Sequence, residues 1–208
     1  MLVKSIMTPH TISVSPEQPL KEAFRVMRDN NFEGLPVTKD GKIVGVLTMW
    51  DLLMSSCVQE TPGFLAVTPV SQIMNSKAIT VNEDEIIEEA AFLMKKHDIA
   101  LLPVTDQFDN LSGVISQSDL FSVLVEMMGL QSRGTRIHMQ VPDKVGQLAE
   151  IAAVIRRNGI SIASMSTFEP HNNLMDLVVR IKTIEAKKVV DDLRRSGFRI
   201  LHVSQVWE

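Results

Sequence analysis

Hydrophobic and polar positions follow the same order twice in the first part of the chain. When residues 3–38 are aligned with residues 70–105, an Ile-Met pair, a Glu-Ala pair and a Leu-Pro-Val-Thr run coincide. After a one-residue insertion in a turn, Gly45 meets Gly113 and Asp51 meets Asp119. Identities spread over the whole length indicate a duplicated unit, at residues 3–60 and 70–127. Because so short a unit buries little surface, the two copies are expected to pack on each other.

Each copy is predicted to fold as β-α-β-β-α. The opening strands are expected at residues 11–14 and 78–81, followed by helix N-caps at Ser15 and Asn82. Apolar residues then recur at i, i+3, i+4 and i+7, which predicts one buried stripe on each helix. The stripe residues are Leu20, Ala23, Phe24 and Met27 in the first copy and Ile87, Ala90, Ala91 and Met94 in the second. Two strands follow, at 35–38 and 43–47 or at 102–105 and 111–115, and a second helix begins near Met49 or Gln117.

The pattern changes after residue 135. Alternating apolar residues predict a strand that begins near Arg136, and the stripe Leu148, Ile151, Ala152 and Ile155 predicts a helix ended by Gly159. Strands at 160–168 and 174–181, a helix at Ala186 to Leu193 and a last strand at 199–206 complete βαββαβ, a ferredoxin-like order. Residues 128–135 are the expected linker, and 136–208 the last domain. The predicted fold class is therefore α+β.

Composition limits the classes of function. Apolar residues make up 45% of the 208 residues, and the net charge of −4 gives no basic footprint for a nucleic-acid partner. A single cysteine, Cys57, excludes a disulfide framework and a cysteine zinc site, and the five histidines lack ligand spacing, so no metal is expected. A proline comes too early for a secretory signal, and no apolar run approaches the roughly 18 residues of a membrane span. We therefore expect a cytoplasmic protein without a membrane partner.

One chemical constellation occurs twice, whereas the common catalytic motifs are missing from the sequence. Thr48 and Asp51, like Ser116 and Asp119, place a hydroxyl and a carboxylate three residues apart where a strand meets a helix. A helix N-cap with its reciprocal partner explains this spacing. A phosphate on the helix N-terminus, with the carboxylate accepting two ribose hydroxyls, explains it as well. The two interpretations are compatible, and an adenine ring would lie among the aliphatic side chains around Ile12 and Leu35 or Ile79 and Leu101.

The Gly-apolar-apolar-Thr/Ser-x-x-Asp ending, the Leu-Pro-Val strand and the Ile-Met-Thr-Pro opening together resemble a tandem pair of CBS domains, a Bateman module. The resemblance implies two clefts for AMP, ADP or ATP, with S-adenosylmethionine less expected. The implied contacts are Thr11, Ile12, Gly34, Leu35, Thr48, Asp51, Ile79, Ala100, Leu101, Ser116 and Asp119. Glu33 departs from the family pattern because an acid repels phosphate, which favours the Asp119 cleft. His10, Lys77, His97 and Arg133 are candidate phosphate partners or simply solvated surface charges.

The last third resembles an ACT domain. The resemblance implies that its strand-to-helix turn binds an amino acid between two ACT domains, through Asp143, Val145, Gly146, Gln147 and Leu148. A tight turn with no ligand is the alternative. A CBS pair followed by an ACT domain is similar to the AcuB family, whose name refers to acetoin utilisation and specifies no reaction.

Three hypotheses follow. In the favoured one, nucleotide occupancy of the clefts changes the geometry of a homodimer, and an unidentified partner protein responds to the change. In the second, the ACT domain senses an amino acid and the CBS pair is its scaffold. In the third, the chain is an enzyme of acetoin breakdown, which the missing nucleophile–base and metal constellations disfavour. No catalytic residue or catalytic cofactor is therefore assigned.

Overall fold

The computed structural model describes residues 1–58, 63–131, 133–168 and 172–206. Its contacts divide the chain into two compact units, Met1–Phe121 and Ser122–Glu208, with the division inside a helix. The side chain of Cys57, Ser132 in the expected linker, and the start of the turn before residue 174, including His171, lie outside the described residues.

The first unit contains both copies of the repeat as far as Phe121, in the middle of the last helix of the second copy. The first copy comprises β1 (Thr8–Pro9), α1 (Leu20–Asn30), β2 (Gly34–Lys39), β3 (Lys42–Thr48), α2 (Met49–Val58) and the short α3 (Phe64–Val67). The second comprises β4 (Val81–Asn82), α4 (Ile87–His97), β5 (Leu101–Thr105), β6 (Leu111–Ser116) and α5 (Gln117–Met127). One-turn 3₁₀ helices, Val3–Ser5 and Val70–Gln72, open the copies. The paired strands and both second helices are thus confirmed, within a residue or two of the predicted bounds.

The expected opening strands are largely wrong. In the first copy only Val14 forms a bridge, to Val37, and in the second the strand shrinks to β4. β1, which the sequence did not indicate, pairs instead with β6 of the second copy.

The predicted caps at Ser15 and Asn82 are also wrong, because α1 and α4 begin five residues later. The backbone N–H of Ser15 donates to Gln18 Oε1 at 2.7 Å, and Asn82 Oδ1 accepts the N–H of Asp84 at 3.0 Å, so the side chains of Gln18 and Asn82 close turns. The first N–H groups of the two helices donate to backbone carbonyls from distant chain: Leu20 to Thr68, and Ile87 to Met1. Tertiary backbone contacts therefore replace the expected side-chain caps.

The opening segment of each copy packs against the other copy. Val3 donates to the carbonyl of Glu85 and is fully buried in the core of the second copy. In the same way Val70 donates to Gln18 and is buried in the core of the first copy. The two copies therefore exchange their opening segments, which confirms that they pack together. The exchange also places the opening segment of each copy next to the strands of the other.

Two glycines allow the exchanged segments to approach the strands. A Cβ on Gly113 would stand 2.5 Å from the carbonyl oxygen of Thr8, and one on Gly45 would stand 3.0 Å from that of Asn75. These are the glycines that open the repeated motif, so the motif needs glycine because another backbone crosses there.

The helix stripes are narrower than predicted. Leu20, Ala23 and Met27, with Ile87, Ala90 and Met94, are buried. Phe24 is half-buried, and Ala91 is exposed. The i+4 position thus lies at the margin of the contact, so the prediction for Ala91 is wrong.

The second unit is a four-stranded antiparallel sheet of order β10-β7-β9-β8 with two helices on one face. Its elements are β7 (Gly134–Pro142), α6 (Gln147–Arg157), β8 (Ile162–Thr167), β9 (Leu174–Ile181), α7 (Lys187–Arg195) and β10 (Arg199–Val206). The βαββαβ order and the left-handed Gly159 are confirmed, and β7 begins two residues before the predicted start.

The buried face of α6 is turned relative to the prediction. Gln147, Ile151, Val154 and Ile155 are buried, whereas Leu148 is 40% exposed and Ala152 is half-buried. The apolar pattern placed Leu148 on the inner face, and the structure places its neighbour Gln147 there instead.

Candidate functional site

The repeated hydroxyl–carboxylate pairs form two equivalent capping boxes. The N–H and Oγ1 of Thr48 both donate to Asp51 Oδ2, at 2.8 and 2.6 Å, and the N–H of Asp51 donates back to Thr48 Oγ1 at 3.1 Å. Ser116 and Asp119 repeat this arrangement at 2.7, 2.6 and 3.2 Å. Both carboxylates are half-buried and use Oδ2 for these bonds. The capping interpretation is therefore realised in the structure, and Oδ1 of each aspartate has no such role.

The capping bonds occupy donors that the sequence assigned to a phosphate. The Thr48 hydroxyl proton goes to Asp51, and the N–H of Met49 donates to the carbonyl of Glu33 at 2.8 Å. In the second copy the N–H of Gln117 donates to the carbonyl of Ala100 at 3.1 Å. An anion at either helix must therefore depend more on side-chain charge than the sequence suggested.

The larger cavity beside these motifs has a volume of about 570 Å³. Thr48, Asp51, Trp50 and Leu53 of the first copy form one wall. The opposite wall comes from the second copy, with Lys77, Ala78, Ile79, Asp98, Ala100 and Leu101. Three carboxylates, with Glu33 the third, an ammonium group and apolar side chains thus face one space.

The smaller cavity has a volume of about 300 Å³ and uses the copies in the opposite sense. Ser116 and Asp119 of the second copy face Thr8, Thr11, Asn31, Glu33 and Gly34 of the first. Each cavity therefore lies between the hydroxyl–carboxylate motif of one copy and the opening segment of the other, together with the start of that copy's β2 or β5. This arrangement follows from the exchange of the opening segments.

Because the copies exchange their opening segments, each aspartate shares its cavity with the opening segment of the other copy and not with that of its own. Ile79 lies with Asp51, and Thr11 lies with Asp119, whereas Ala100 and Leu101 line both cavities. Ile12 is 44% exposed and lines neither cavity, and the side chain of Leu35 is fully buried in the core of the first copy.

Charge distinguishes the two cavities. Glu33 lines both, so its acidity does not favour the Asp119 cleft as the sequence suggested. Lys77 lines the Asp51 cavity together with three carboxylates, those of Glu33, Asp51 and Asp98, while the described lining of the Asp119 cavity contains two carboxylates and no lysine, arginine or histidine. His10 and His97 line neither described cavity, and Arg133 belongs to the second unit.

Sequence reasoning missed four polar residues of the cavities that the repeat register could have indicated. Asn31 and Asp98 follow α1 and α4 at equivalent positions, both in left-handed conformation, and Thr8 is equivalent to Asn75. One member of each pair lines each cavity. The signal was available in the alignment once the copies were known to exchange their segments.

The strand-to-helix turn of the second unit is the place where the sequence predicted an amino-acid site. Gly146 has φ +87° and begins α6, Val145 is fully exposed, and Asp143 and Leu148 are exposed. Gln147 is only 3% exposed; its Nε2 donates to Glu150 Oε2 at 3.2 Å, and its Oε1 has no partner among the described residues. The turn therefore presents one buried, unsatisfied acceptor and an open backbone.

The described part of the chain contains no group of three or more histidine, cysteine or acidic residues placed to hold a metal ion. None of its helices combines the length and apolarity that crossing a membrane requires.

Comparisons with known proteins place both units in families. The CBS domain family matches residues 3–56 and 70–126, and the ACT domain family matches residues 135–198. The CBS domain-containing protein YhcV of Bacillus subtilis (strain 168) is 34% identical over 135 residues, which cover 65% of this chain and 91% of YhcV. Other curated relatives are enzymes such as the homoserine O-acetyltransferase of Methanosphaerula palustris, 33% identical over 124 residues, or 59% of this chain. The chain spans about a quarter of that enzyme's length (24%).

Solved structures show the same fold over the CBS pair. A Vibrio cholerae protein assigned to acetoin utilization (AcuB) is 27% identical, with TM-score 0.54 over 63% of this chain and 95% of that one. The CBS pair of protein MJ0100, solved with 5′-methylthioadenosine and S-adenosyl-L-methionine, is 27% identical, with TM-score 0.53 over 60% and 99%. CBSX2, solved with AMP, is 25% identical, with TM-score 0.51 over 60% and 96%. The chain therefore belongs to the CBS-domain family, as a tandem CBS pair followed by an ACT domain.

Proposed function

We propose that this chain is a regulatory protein whose CBS pair binds adenine nucleotides, and that binding changes the conformation of a homodimer that an unidentified cytoplasmic partner protein recognises. The observation that carries the proposal is the Asp51 cavity, where crossing of the two copies joins a carboxylate, a lysine and an apolar wall. The CBS motifs at residues 3–60 and 70–127 provide the sensor, and residues 128–135 connect it to the ACT domain at 136–208.

The Asp51 carboxylate fits the ribose. Its Oδ2 is held by the N–H and hydroxyl of Thr48, which fixes the carboxylate in place. Its Oδ1 is then available to accept hydrogen bonds from the 2′- and 3′-hydroxyls, and a charged acceptor makes such bonds strong. Ile79 and Leu101 supply apolar contacts for the adenine ring on the opposite wall.

The charge of the Asp51 cavity favours AMP over ATP. Lys77 provides one positive charge for a phosphate, and the N-terminal end of α2 adds a partial positive charge. Glu33 and Asp98 line the same cavity and oppose each additional phosphate. A single phosphate therefore fits this balance better than the two or three of ADP or ATP.

The Asp119 cavity favours a ligand without a negative charge. It is about half as large as the other, and both of its charged residues, Glu33 and Asp119, are acids. An adenosine derivative that is neutral or positive, such as 5′-methylthioadenosine or S-adenosylmethionine, suits it better than a nucleotide. Support comes from the similar CBS pair of MJ0100, which was solved with these two compounds.

Regulation requires more than binding. A ligand shifts a conformational equilibrium only by the difference between its affinities for the two states. At about 100 times its Kd, a ligand that binds one state alone stabilises that state by about 2.7 kcal/mol, which is enough for a switch. A link to acetoin utilisation is a finer part of the proposal and rests on the likeness to the Vibrio cholerae protein.

Isothermal titration calorimetry of the full chain tests the ligand. The titrants are AMP, ATP, adenosine and S-adenosylmethionine, and the proteins are the wild type, Asp51→Asn, Asp119→Asn and Lys77→Gln. Asp191→Asn, on the surface of the second unit, is the matched control. We expect Lys77→Gln to weaken AMP about tenfold or more, as for a lost charge-assisted hydrogen bond, and to leave adenosine unchanged. AMP binding that Asp51→Asn and Lys77→Gln leave intact, or its absence in the wild type, would contradict the proposal.

An amino-acid sensor in the ACT domain is the second candidate, and one observation favours it. Gln147 Oε1, buried and without a partner at the start of α6, could accept a hydrogen bond from an ammonium group if the exposed turn closed over a ligand. Titration of the common amino acids into the full chain tests this candidate. A heat of binding for an amino acid that is lost in Gln147→Met and kept in Asp51→Asn would support this candidate. The absence of a binding heat for every amino acid would refute it.

A further inference from the structure

The sheet of the second unit has a polar face opposite its two helices. Ile137, Met139 and Val141 of β7 are fully buried in the core, so the alternate residues Arg136, His138 and Gln140 occupy the other face. Register pairs Arg136 with Arg180 of β9 on one side and with Ser204 of β10 on the other. Ser164 of β8 pairs with Arg180. Four side chains, Ser204, Arg136, Arg180 and Ser164, therefore form one row across the whole sheet.

The row places two positive charges directly opposite each other. Directly paired residues of neighbouring antiparallel strands have Cβ atoms about 4.5–5.5 Å apart, and like charges at such positions are destabilising. Arg180 is only 8% exposed, and burial together with the positive charge of Arg136 lowers its pKa. The guanidinium groups are thus close enough to repel each other, and one of them is largely withdrawn from water.

Neither arginine has a carboxylate partner in the described part of the chain. The ion pairs found there engage Arg25, Arg28, Arg194 and Arg195 but neither Arg136 nor Arg180. The acid of this face, Asp176, stands four residues from Arg180 along β9 and lies 3.6 Å from His138 Nε2. Arg136 and Arg180 therefore form a cationic pair whose charge is left for something else to neutralise.

The chain covers one end of the row and leaves the other accessible. Ser164 Oγ donates to the carbonyl of Met128 at 2.8 Å, and a Cβ on Gly129 would stand 3.6 Å from Arg180 Cδ. The turn at Met128 and Gly129 thus lies over Ser164 and the aliphatic part of Arg180. Arg136 and Ser204 are half-buried. An incoming group would reach the guanidinium groups from the Arg136 side.

We propose that Arg136 and Arg180 bind a small oxyanion, the carboxylate or phosphate group of a metabolite, on the open face of the ACT-domain sheet. The guanidinium group presents its donors in a planar fork that matches carboxylate and phosphate oxygens. Two forks on adjacent strands can hold one anion between them, and the Ser204 hydroxyl adjoins this position as a further donor. The anion supplies the countercharge that the chain lacks here. Neither arginine lines a CBS cavity or belongs to the turn before α6.

Thermal unfolding and calorimetry of the full chain with inorganic phosphate and with succinate, each compared with chloride at equal ionic strength, test the site. We expect a saturable rise in Tm of about 2–4 °C at about five times the Kd, which Arg136→Gln abolishes. Arg157→Gln, an exposed position on α6 with the same change in charge, is the control and keeps the response. Lys77→Gln also keeps it if the anion binds here, and loses it if the anion binds in the Asp51 cavity.

A charge reversal gives a second readout that does not depend on the ligand. Arg136→Glu places a carboxylate opposite Arg180, so we expect it to unfold in chloride at a temperature at least equal to that of the wild type and to ignore phosphate. Arg157→Glu is its control. A Tm for Arg136→Glu clearly below that of Arg157→Glu, an anion response that Arg136→Gln leaves intact, or no response to either anion overturns the proposal.

Discussion

Substitution of Gly113 by alanine tests the exchange of opening segments that builds both cavities. The added Cβ would stand 2.5 Å from the carbonyl oxygen of Thr8, 3.0 Å from Met7 Sδ and 3.3 Å from Pro9 Cα. Two of these atoms belong to the backbone of β1, which pairs with β6 at this position. The methionine sulfur can move aside, but the backbone contacts can be relieved only if β1 shifts away from β6.

The expected loss of stability follows from two opposing effects. Forcing an extra methyl group into a packed site costs about 1–3 kcal/mol. Replacing glycine by alanine lowers the entropy of the unfolded chain, which returns about 0.4–1 kcal/mol. The net destabilisation is therefore about 1–2 kcal/mol, or a fall in Tm of about 2–8 °C for a chain of this length.

Gly45 provides the matched comparison, because it meets the exchanged segment of the other copy. There the nearest atom to an added Cβ is Met74 Sδ at 2.7 Å, at the flexible part of a side chain, and the backbone oxygen of Asn75 is 3.0 Å away. Gly45→Ala should therefore cost less than Gly113→Ala, since Met74 can change rotamer.

Urea unfolding, hydrogen exchange of residues 1–10 and ligand titration complete the assay. Gly113→Ala should speed exchange in β1 and weaken binding in the Asp119 cavity, which Thr8 and Thr11 line, more than in the Asp51 cavity. The reasoning fails if Gly113→Ala is as stable as the wild type, or if Gly45→Ala proves the more damaging of the two.

Two further substitutions test local electrostatics and burial. The Asp106 carboxylate accepts hydrogen bonds from the side chain and backbone of Asn110 and the backbone of Phe108, which lower its pKa below 3.8. The contribution of these hydrogen bonds to stability is therefore present above pH 3.8 and is lost as pH falls through the folded-state pKa. The urea midpoint of Asp106→Ala should lie below that of the wild type at pH 7, and the two midpoints should converge in acid. A gap independent of pH would contradict this. Gln147→Met removes the unpartnered Oε1 together with the hydrogen bond from Nε2 to Glu150, and calorimetry should show a Tm equal to that of Glu150→Ala, which loses the same bond, or up to about 2–4 °C above it; a Tm clearly below that of Glu150→Ala would mean that Oε1 has a partner in solution.

The sequence predicted those elements whose signals are local. The Leu-Pro-Val strands pair as expected because each is followed by a turn and a second apolar run, which is enough to specify a hairpin. The starts of α1 and α4 could not be predicted in the same way. Their first N–H groups donate to Thr68 and Met1, and nothing near Leu20 or Ile87 indicates that a distant carbonyl will replace a side-chain cap.

The candidate site likewise has a part that local sequence predicted and a part that depends on how the two copies pack. The Thr48–Asp51 spacing predicted both a cap and a ligand contact, and the structure forms the cap with one carboxylate oxygen. The opposite wall could not be predicted, because an alignment of two copies shows which residues are equivalent and not which are neighbours. Ile79 therefore faces Asp51 although the repeat associates it with Asp119.

The shared wall gives the two cavities a physical means of affecting each other. Glu33, Ala100 and Leu101 line both, and a Cβ on Gly34 would stand only 3.3 Å from Leu101 Cδ2. An adenine ring that displaces Leu101 from one side must alter the space on the other, and a phosphate near Glu33 changes the charge that a second ligand meets. Since coupling between two ligands is reciprocal, AMP in the Asp51 cavity should change the affinity for S-adenosylmethionine by the factor with which S-adenosylmethionine changes the affinity for AMP. Sequential titrations in both orders measure that factor, and a factor of one in both orders would mean that the common wall is rigid.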